Sequence, residues 1–187
     1  RETDSLDATY PYDSSKSSSD LICQSYSKTY SMNVGIIRCG NIYGPGDFNL
    51  KRLIPEVIIS TIKNKNFSIR SNGKSRRDYV YVDDVVNAYI KLFKKLKKTK
   101  EKLKIYNVSS KFNYSVLQVV NMILKRMNKA SIKPKIRNNS KQEINFQRLN
   151  FNKIKRDLKW LPKVDINEGL KNTIDWYIKN YKNLIKK

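Results

Sequence analysis

Two features of this sequence point to an α/β architecture built on a parallel sheet. A helix-period stretch opening at Pro11 leads into the apolar run Val34-Gly35-Ile36-Ile37-Arg38, which empties into the glycine-punctuated loop Cys39-Gly40-Asn41-Ile42-Tyr43-Gly44-Pro45-Gly46-Asp47. A second helix-period stretch, Val85 to Leu96, is followed by another short apolar run, Ile105-Tyr106-Asn107-Val108. Short continuous apolar runs bounded by turn residues mark strands covered on both faces, as strands of parallel sheets are. In such folds ligands gather at the carboxyl ends of the strands, where the glycine-rich loop lies.

Taken in order, the elements have local reasons. A helix is expected from about Pro11 to Tyr30, with proline in the first turn, where its missing N–H is no loss, and with Leu21, Ile22, Tyr26 and Tyr30 as the apolar side. Leu53, Val57, Ile58, Thr61 and Ile62 recur at helical spacing, and Pro55 is tolerated in that helix's first turn. Ser71-Asn72-Gly73 reads as a turn joining two short extended segments, at Ile69 and at Tyr79-Val80-Tyr81. Asp83 or Asp84 is the expected cap of the helix from Val85 to Leu96. Ser115 should cap a helix from Val116 to Met127, and Ile132 to Arg137 suits one more strand. From Asn152 the pattern turns helical, pauses at Trp160-Leu161-Pro162, and ends in an amphipathic helix from about Ile166 to Tyr181. Trp160 reads as core, anchoring that last helix. No internal repeat or clear linker divides the chain.

Composition narrows the function classes. Of 187 residues, 39% are hydrophobic and 29% charged, which fits a soluble protein with a core. No apolar stretch is long enough to span a bilayer, and no secretory pattern opens the chain. Cys23 and Cys39 form neither a metal spacing nor a disulfide framework, and with no histidine a zinc site or histidine base is excluded; no metal is expected. A reducing, cytoplasmic setting fits. The net charge of +23 raises nucleic acid as a partner. Its densest run, Lys91, Lys94, Lys95, Lys97, Lys98, Lys100, Lys102 and Lys104, flanks the end of a surface helix without aromatic residues interleaved after Phe93. A solvated face explains it, with nonspecific adhesion to anionic polymers at low salt and no specific nucleic-acid partner.

The chemistry-bearing pair is Tyr12 and Lys16, four residues apart in Tyr10-Pro11-Tyr12-Asp13-Ser14-Ser15-Lys16. On a helix that spacing puts both on one face, a turn apart. Free tyrosine has a pKa of about 10 and is a poor base at neutral pH, and a nearby ammonium favours the phenolate. Such a tyrosine can take a proton from an alcohol while a cofactor takes the hydride.

Four stretches in order extend this reading: Pro11-Tyr12-x-x-Ser15-Lys16; Arg38 through Asp47; Arg76-Arg77-Asp78-Tyr79-Val80-Tyr81-Val82-Asp83-Asp84; and Leu158-Lys159-Trp160-Leu161-Pro162. In these the chain resembles the extended short-chain dehydrogenase/reductase family, specifically its nucleotide-sugar epimerases and 4,6-dehydratases. Arg38-Cys39-Gly40-Asn41, Arg52-Leu53-Ile54-Pro55 and Ile69-Arg70-Ser71-Asn72-Gly73 look most like the CDP-glucose 4,6-dehydratase branch. The Gly-x-x-Gly-x-x-Gly turn that receives the cofactor pyrophosphate is not in this sequence. Also missing are the upstream Ser/Thr that in the family assists the tyrosine and the acidic/basic pair that distinguishes dehydratases from epimerases. The resemblance therefore implies a C-terminal portion: residues 1–45 ending a Rossmann-like NAD-binding domain, and 46–187 mainly a small α/β substrate-binding lobe, with about 84–110 returning to the parallel sheet.

The same resemblance implies a cofactor and a set of site residues. The cofactor is NAD, with NADP open, held by Tyr12, Lys16, Arg38 and Cys39. Tyr12 and Lys16 are catalytic: the sugar is oxidised at C4, water is eliminated, and hydride returns to C6. Asn41, Arg52, Leu53, Arg70, Arg77 and Glu143 bind the nucleotide sugar, with Arg77 the first choice for its pyrophosphate because a guanidinium fork binds phosphate bidentately. Arg76 stays undecided between this role and a surface basic pair. A homodimer through the Tyr-Lys helix is implied. Alternatives are a 4-epimerase, a UDP-glucuronate decarboxylase, or an inactive binding module, and the portion by itself is expected to bind NAD poorly and turn over nothing.

Overall fold

In the computed structural model, residues 1–139 and 144–184 are described. The elements run α1 (Pro11–Tyr30), β1 (Val34–Cys39), β2 (Asn41–Tyr43), α2 (Leu53–Ile62), β3 (Ser68–Ile69), β4 (Arg76–Tyr81), α3 (Val82–Leu96), β5 (Leu103–Val108), β6 (Asn113–Ser115), α4 (Val116–Arg126), β7 (Lys135–Ile136), α5 (Asn152–Leu158) and α6 (Ile166–Leu184). Contacts divide the chain into two units.

The first unit holds Arg1–Cys39, Val85–Ser109 and Leu149–Leu161, so it also takes the α5 segment, which the expected division places in the lobe. Its sheet is the parallel pair β1–β5, with Val34 opposite Leu103 and Cys39 opposite Val108. Strand side chains alternate between faces, and the two faces have different partners. Gly35 lies on the α3 face: a Cβ there would meet the Leu92 and Leu96 side chains at 2.8 Å, so a larger residue would force those leucines to shift. Tyr106, on the same face through its register partner Ile37, is fully buried, and its hydroxyl donates to Asp157 of α5 at 3.3 Å. Arg38 points the other way, to α1.

α1 begins with Pro11 at its first position and stops at Ser31, whose φ of 53° is left-handed. Its apolar side is not the side covered within this unit. Leu21, Ile22, Tyr26 and Tyr30 are exposed, and the covered side is instead Ser17, Asp20, Gln24 and Ser27. Small and polar side chains let the helix lie close to the strands, and Ser27, 2% exposed, satisfies its hydroxyl by donating to the Met32 carbonyl.

The second unit holds Gly40–Asp84, Ser110–Arg148 and Pro162–Lys187, described here as far as residue 184. β4 is central, parallel to β2 and antiparallel to β6, while β3 pairs in parallel with β7. The Ser71–Gly73 turn exists, closed by bonds from the Gly73 N–H to the Ser71 hydroxyl and from the Lys74 N–H to Asn72 Oδ1, but its flanking segments do not pair with each other. The core lies among α2, α4 and α6, with Ile58, Val119, Val120, Ile123 and Tyr177 fully buried. Each such aliphatic side chain contributes about 1.5–3 kcal/mol by leaving water. Ser115 caps α4 as expected, in a reciprocal capping box with Gln118. The aspartate cap is corrected: α3 begins at Val82, which puts Asp83 and Asp84 in its first turn, and the buried Asp84 carboxylate accepts the Lys163 and Val164 N–H groups.

The lysine run is exposed at Lys94, Lys95, Lys97, Lys98, Lys100 and Lys102. Lys91 differs, since it donates to the Leu158 and Lys159 carbonyls, and Lys104 pairs with Glu101. No helix of the described residues is long and apolar enough to cross a membrane.

Candidate active site

Tyr12 and Lys16 share one face of the first turns of α1: the Lys16 ammonium lies 5.5 Å from the centroid of the Tyr12 ring, within cation–π range. Tyr12 is 69% exposed, so its hydroxyl meets solvent rather than the chain's own core. Other tyrosines are in the opposite situation. Burial, aided by nearby Tyr81 for Tyr43, by Asp157 for Tyr106 and by Asp47 for Tyr177, pushes those three phenols well above the ordinary tyrosine range. They stay protonated and serve packing.

At the carboxyl end of β1 the two predicted cofactor contacts face opposite ways. Cys39 is half-buried on the α3 side. The Arg38 guanidinium is engaged by the chain itself: Nε and Nη2 donate to the two Asp20 oxygens at 2.8 and 3.0 Å, and Nη1 donates to the Glu2 carbonyl at 3.0 Å. Glu2 also reaches β5, where its Oε1 accepts the Asn107 N–H at 2.8 Å. Sequence reasoning missed Asp20 and Glu2. A lone aspartate in a serine-rich helix carries no local signal, although its position one turn beyond Lys16 on the same side was available.

Burial pushes the Asp20 carboxyl up, but hydrogen bonds from Arg38 and Gln24 and the Arg38 charge together outweigh it and hold the group below the usual carboxylate range. Its folded value is thus lower than its unfolded one. The stability this confers is complete above about pH 4 and is lost as pH falls through the lowered value. Acid unfolding curves should therefore be shallower below about pH 4 in Asp20→Asn than in the parent chain; equal slopes would show that this carboxylate adds nothing.

In the second unit, Asn41 opens β2 and is exposed. The preceding Gly40 runs against β4, since a Cβ there would sit 2.5 Å from the Asp78 carbonyl oxygen. Asp78 is 1% exposed and accepts from both the N–H and the hydroxyl of Ser110, at 2.9 and 3.0 Å. Arg52, just before α2, is half-engaged, with Nη1 3.2 Å from Asp47, and Leu53 starts the helix half-buried. Arg70 follows β3 and is exposed; its carbonyl accepts the Asn139 N–H. Arg77 donates to the Arg76 and Ile144 carbonyls. Arg76 is committed to Asn113 and Gln118, which gives it a structural occupation. Glu143 lies outside the described residues.

A groove in the first unit, lined by Asn152, Lys155, Arg156, Lys159 and Leu161, includes none of these residues. Among the described residues no group of His, Cys, Asp and Glu could hold a metal ion.

Comparison with known proteins gives a consistent picture. A profile described as the NAD dependent epimerase/dehydratase family matches residues 1–109. The dTDP-D-glucose 4,6-dehydratase of Bos taurus is 32% identical over 180 residues, which are 94% of this chain and 49% of that protein. The crystal structure of dTDP-glucose 4,6-dehydratase from Bacillus anthracis in complex with NAD superimposes with a TM-score of 0.86 at 29% identity, covering 98% of this chain and 58% of that one. The UDP-glucose 4-epimerase of Thermotoga maritima, solved with UDP-glucose, gives a TM-score of 0.82 at 25% identity over 91% of this chain and 54% of that one. The chain spans about half the length of the curated relatives it matches.

Proposed function

Since the chain belongs to the NAD dependent epimerase/dehydratase family, we propose that it is the part of a nucleotide-sugar 4,6-dehydratase that carries the proton-transferring tyrosine. The observation that carries this is the exposed Tyr12 hydroxyl on the same helix face as the Lys16 ammonium. The donor set suits the nicotinamide ribose end of a dinucleotide: an ammonium and a phenol for vicinal hydroxyls, on one accessible face. Nicotinamide, when bound, supplies the hydride acceptor and donor. Tyr12 takes the proton of the sugar 4-hydroxyl as that carbon is oxidised, and Lys16 holds the ribose hydroxyls. The 4-ketone acidifies the C5 proton, so water can leave across C5 and C6.

Arg77, Arg70 and Arg52 are assigned to the substrate pyrophosphate, with Asn41 as a paired donor and acceptor for a phosphate or sugar group. Arg70 and Arg52 are exposed. Leu53 and Glu143 complete the assigned substrate contacts. The same reading includes a homodimer through α1, supported by the exposed Leu21, Ile22, Tyr26 and Tyr30, and a reducing, cytoplasmic setting.

The test is product mass. The complete enzyme, given NAD and CDP-, dTDP- or UDP-glucose in turn, should convert one of them to a product lighter by one water. A second reading, 4-epimerisation, is favoured by the likeness to the Thermotoga maritima epimerase; it predicts a product of unchanged mass with an inverted 4-hydroxyl. No conversion of any of the three would reject both for these substrates.

A further inference from the structure

We propose that Arg38 is a positioning residue rather than a cofactor contact: with Asp20 and the Glu2 carbonyl it sets the rotation and register of α1 against β1, and thereby the placement of Tyr12 and Lys16. The proposal rests on the catalytic reading above. Three hydrogen bonds fix the guanidinium in one plane, two to a single carboxylate and one to the segment entering the helix. The pair is well covered, with side-chain exposures of 17% for Arg38 and 10% for Asp20, so salt screens it little. Asp20 lies one turn beyond Lys16 and two beyond Tyr12 on the same side of α1, about 12 Å along the axis from Tyr12.

Geometry makes this anchor consequential. The covered face of α1 consists of small polar side chains such as Ser17 and Ser27, which interlock poorly and resist rotation weakly. A turn of about 10° moves an atom 6 Å from the axis by about 1 Å. A misplacement of that size can cost about 100-fold in rate. The Glu2 side chain, bound to β5 through Asn107, fixes the entering segment as well, so α1 is held before its first turn and at its third.

The test is Arg38→Lys in the complete enzyme, which keeps the charge but loses the fork. We expect kcat to fall about 10- to 100-fold, with NAD affinity and sugar KM within about twofold, and with faster amide hydrogen exchange across residues 14–20, whose N–H groups are bonded within the helix. Asp20→Asn, nearly isosteric, should behave alike, which guards against a folding defect peculiar to one variant. A raised NAD dissociation constant with kcat intact at saturation would overturn the proposal in favour of direct contact. So would unchanged kcat in both folded variants, or a loss that only follows the folded fraction. If Tyr12→Phe itself retains turnover, the catalytic reading fails separately. The exchange data then decide: unchanged protection across residues 14–20 overturns the anchor, and faster exchange upholds it.

Discussion

Replacing Tyr12 with phenylalanine in the complete enzyme should lower kcat by about 10²- to 10⁴-fold, the range over which positioned acid–base groups act. The substitution removes one hydroxyl and little else. The ring that Lys16 approaches at 5.5 Å remains, so the cation–π contact and the first turns of α1 persist. Because Tyr12 is 69% exposed, losing its hydroxyl leaves no buried partner unsatisfied, and such surface changes usually fall within about 0.5 kcal/mol of the parent. Folding stability, NAD affinity and nucleotide-sugar affinity should therefore be nearly unchanged while turnover falls by that factor. Single-turnover kinetics beside calorimetric binding would separate the two. A Tyr12→Phe enzyme within about threefold of the parent kcat would end the assignment. Loss of binding as large as the loss of turnover would make Tyr12 a binding residue alone, with no part in proton transfer.

What the sequence disclosed and what it hid divide along the range of the interactions involved. Pro11 at the head of α1, the Ser115–Gln118 box at the head of α4 and the apolar runs of β1 and β5 are signals contained within a few residues, and each element forms where those residues place it. β3 meets β7 rather than β4 because pairing is chosen by partners some 67 residues apart, about which the Ser71–Gly73 turn carries no information. The apolar side of α1 is legible as apolar, yet nothing local says whether a partner covers it. In this chain the serine-lined side faces β1, and the tyrosines and leucine face out. The candidate site shows the same division. The Tyr12–Lys16 spacing is a helix property and can be read directly, whereas Asp20 and Arg38, 18 residues apart, become a pair only once α1 lies on β1. Asp84 resembles a cap because a helix-start aspartate is a local motif, while its carboxylate serves backbone N–H groups 79 and 80 residues away.

The largest loss of stability is expected at Trp160, through Trp160→Ala. The indole is fully buried, packed edge-on against Phe151 with ring centroids 6.0 Å apart, and it sits just beyond α5, whose Ile154 is also fully buried. The chain reaches this place through Lys159, which turns in the left-handed region at φ 49°, while Lys91 of α3 holds the Leu158 and Lys159 carbonyls at 3.2 Å. Those constraints keep the backbone from collapsing into the space an alanine would leave, so the cavity cost adds to the lost transfer energy. Removal of a buried tryptophan in such surroundings costs about 3–5 kcal/mol, against a total of about 5–15 kcal/mol for an ordinary domain. Denaturant unfolding should show an unfolding free energy lowered by that amount, and Trp160→Phe, which keeps an aromatic edge for Phe151, should lose clearly less. A cost under about 1 kcal/mol would mean that the indole is not the keystone of this corner. Because none of its ring is open to solvent, a loss of nucleotide-sugar affinity in Trp160→Ala should appear only in step with the loss of folded protein, and binding that fell while the fold held would give Trp160 a recognition role.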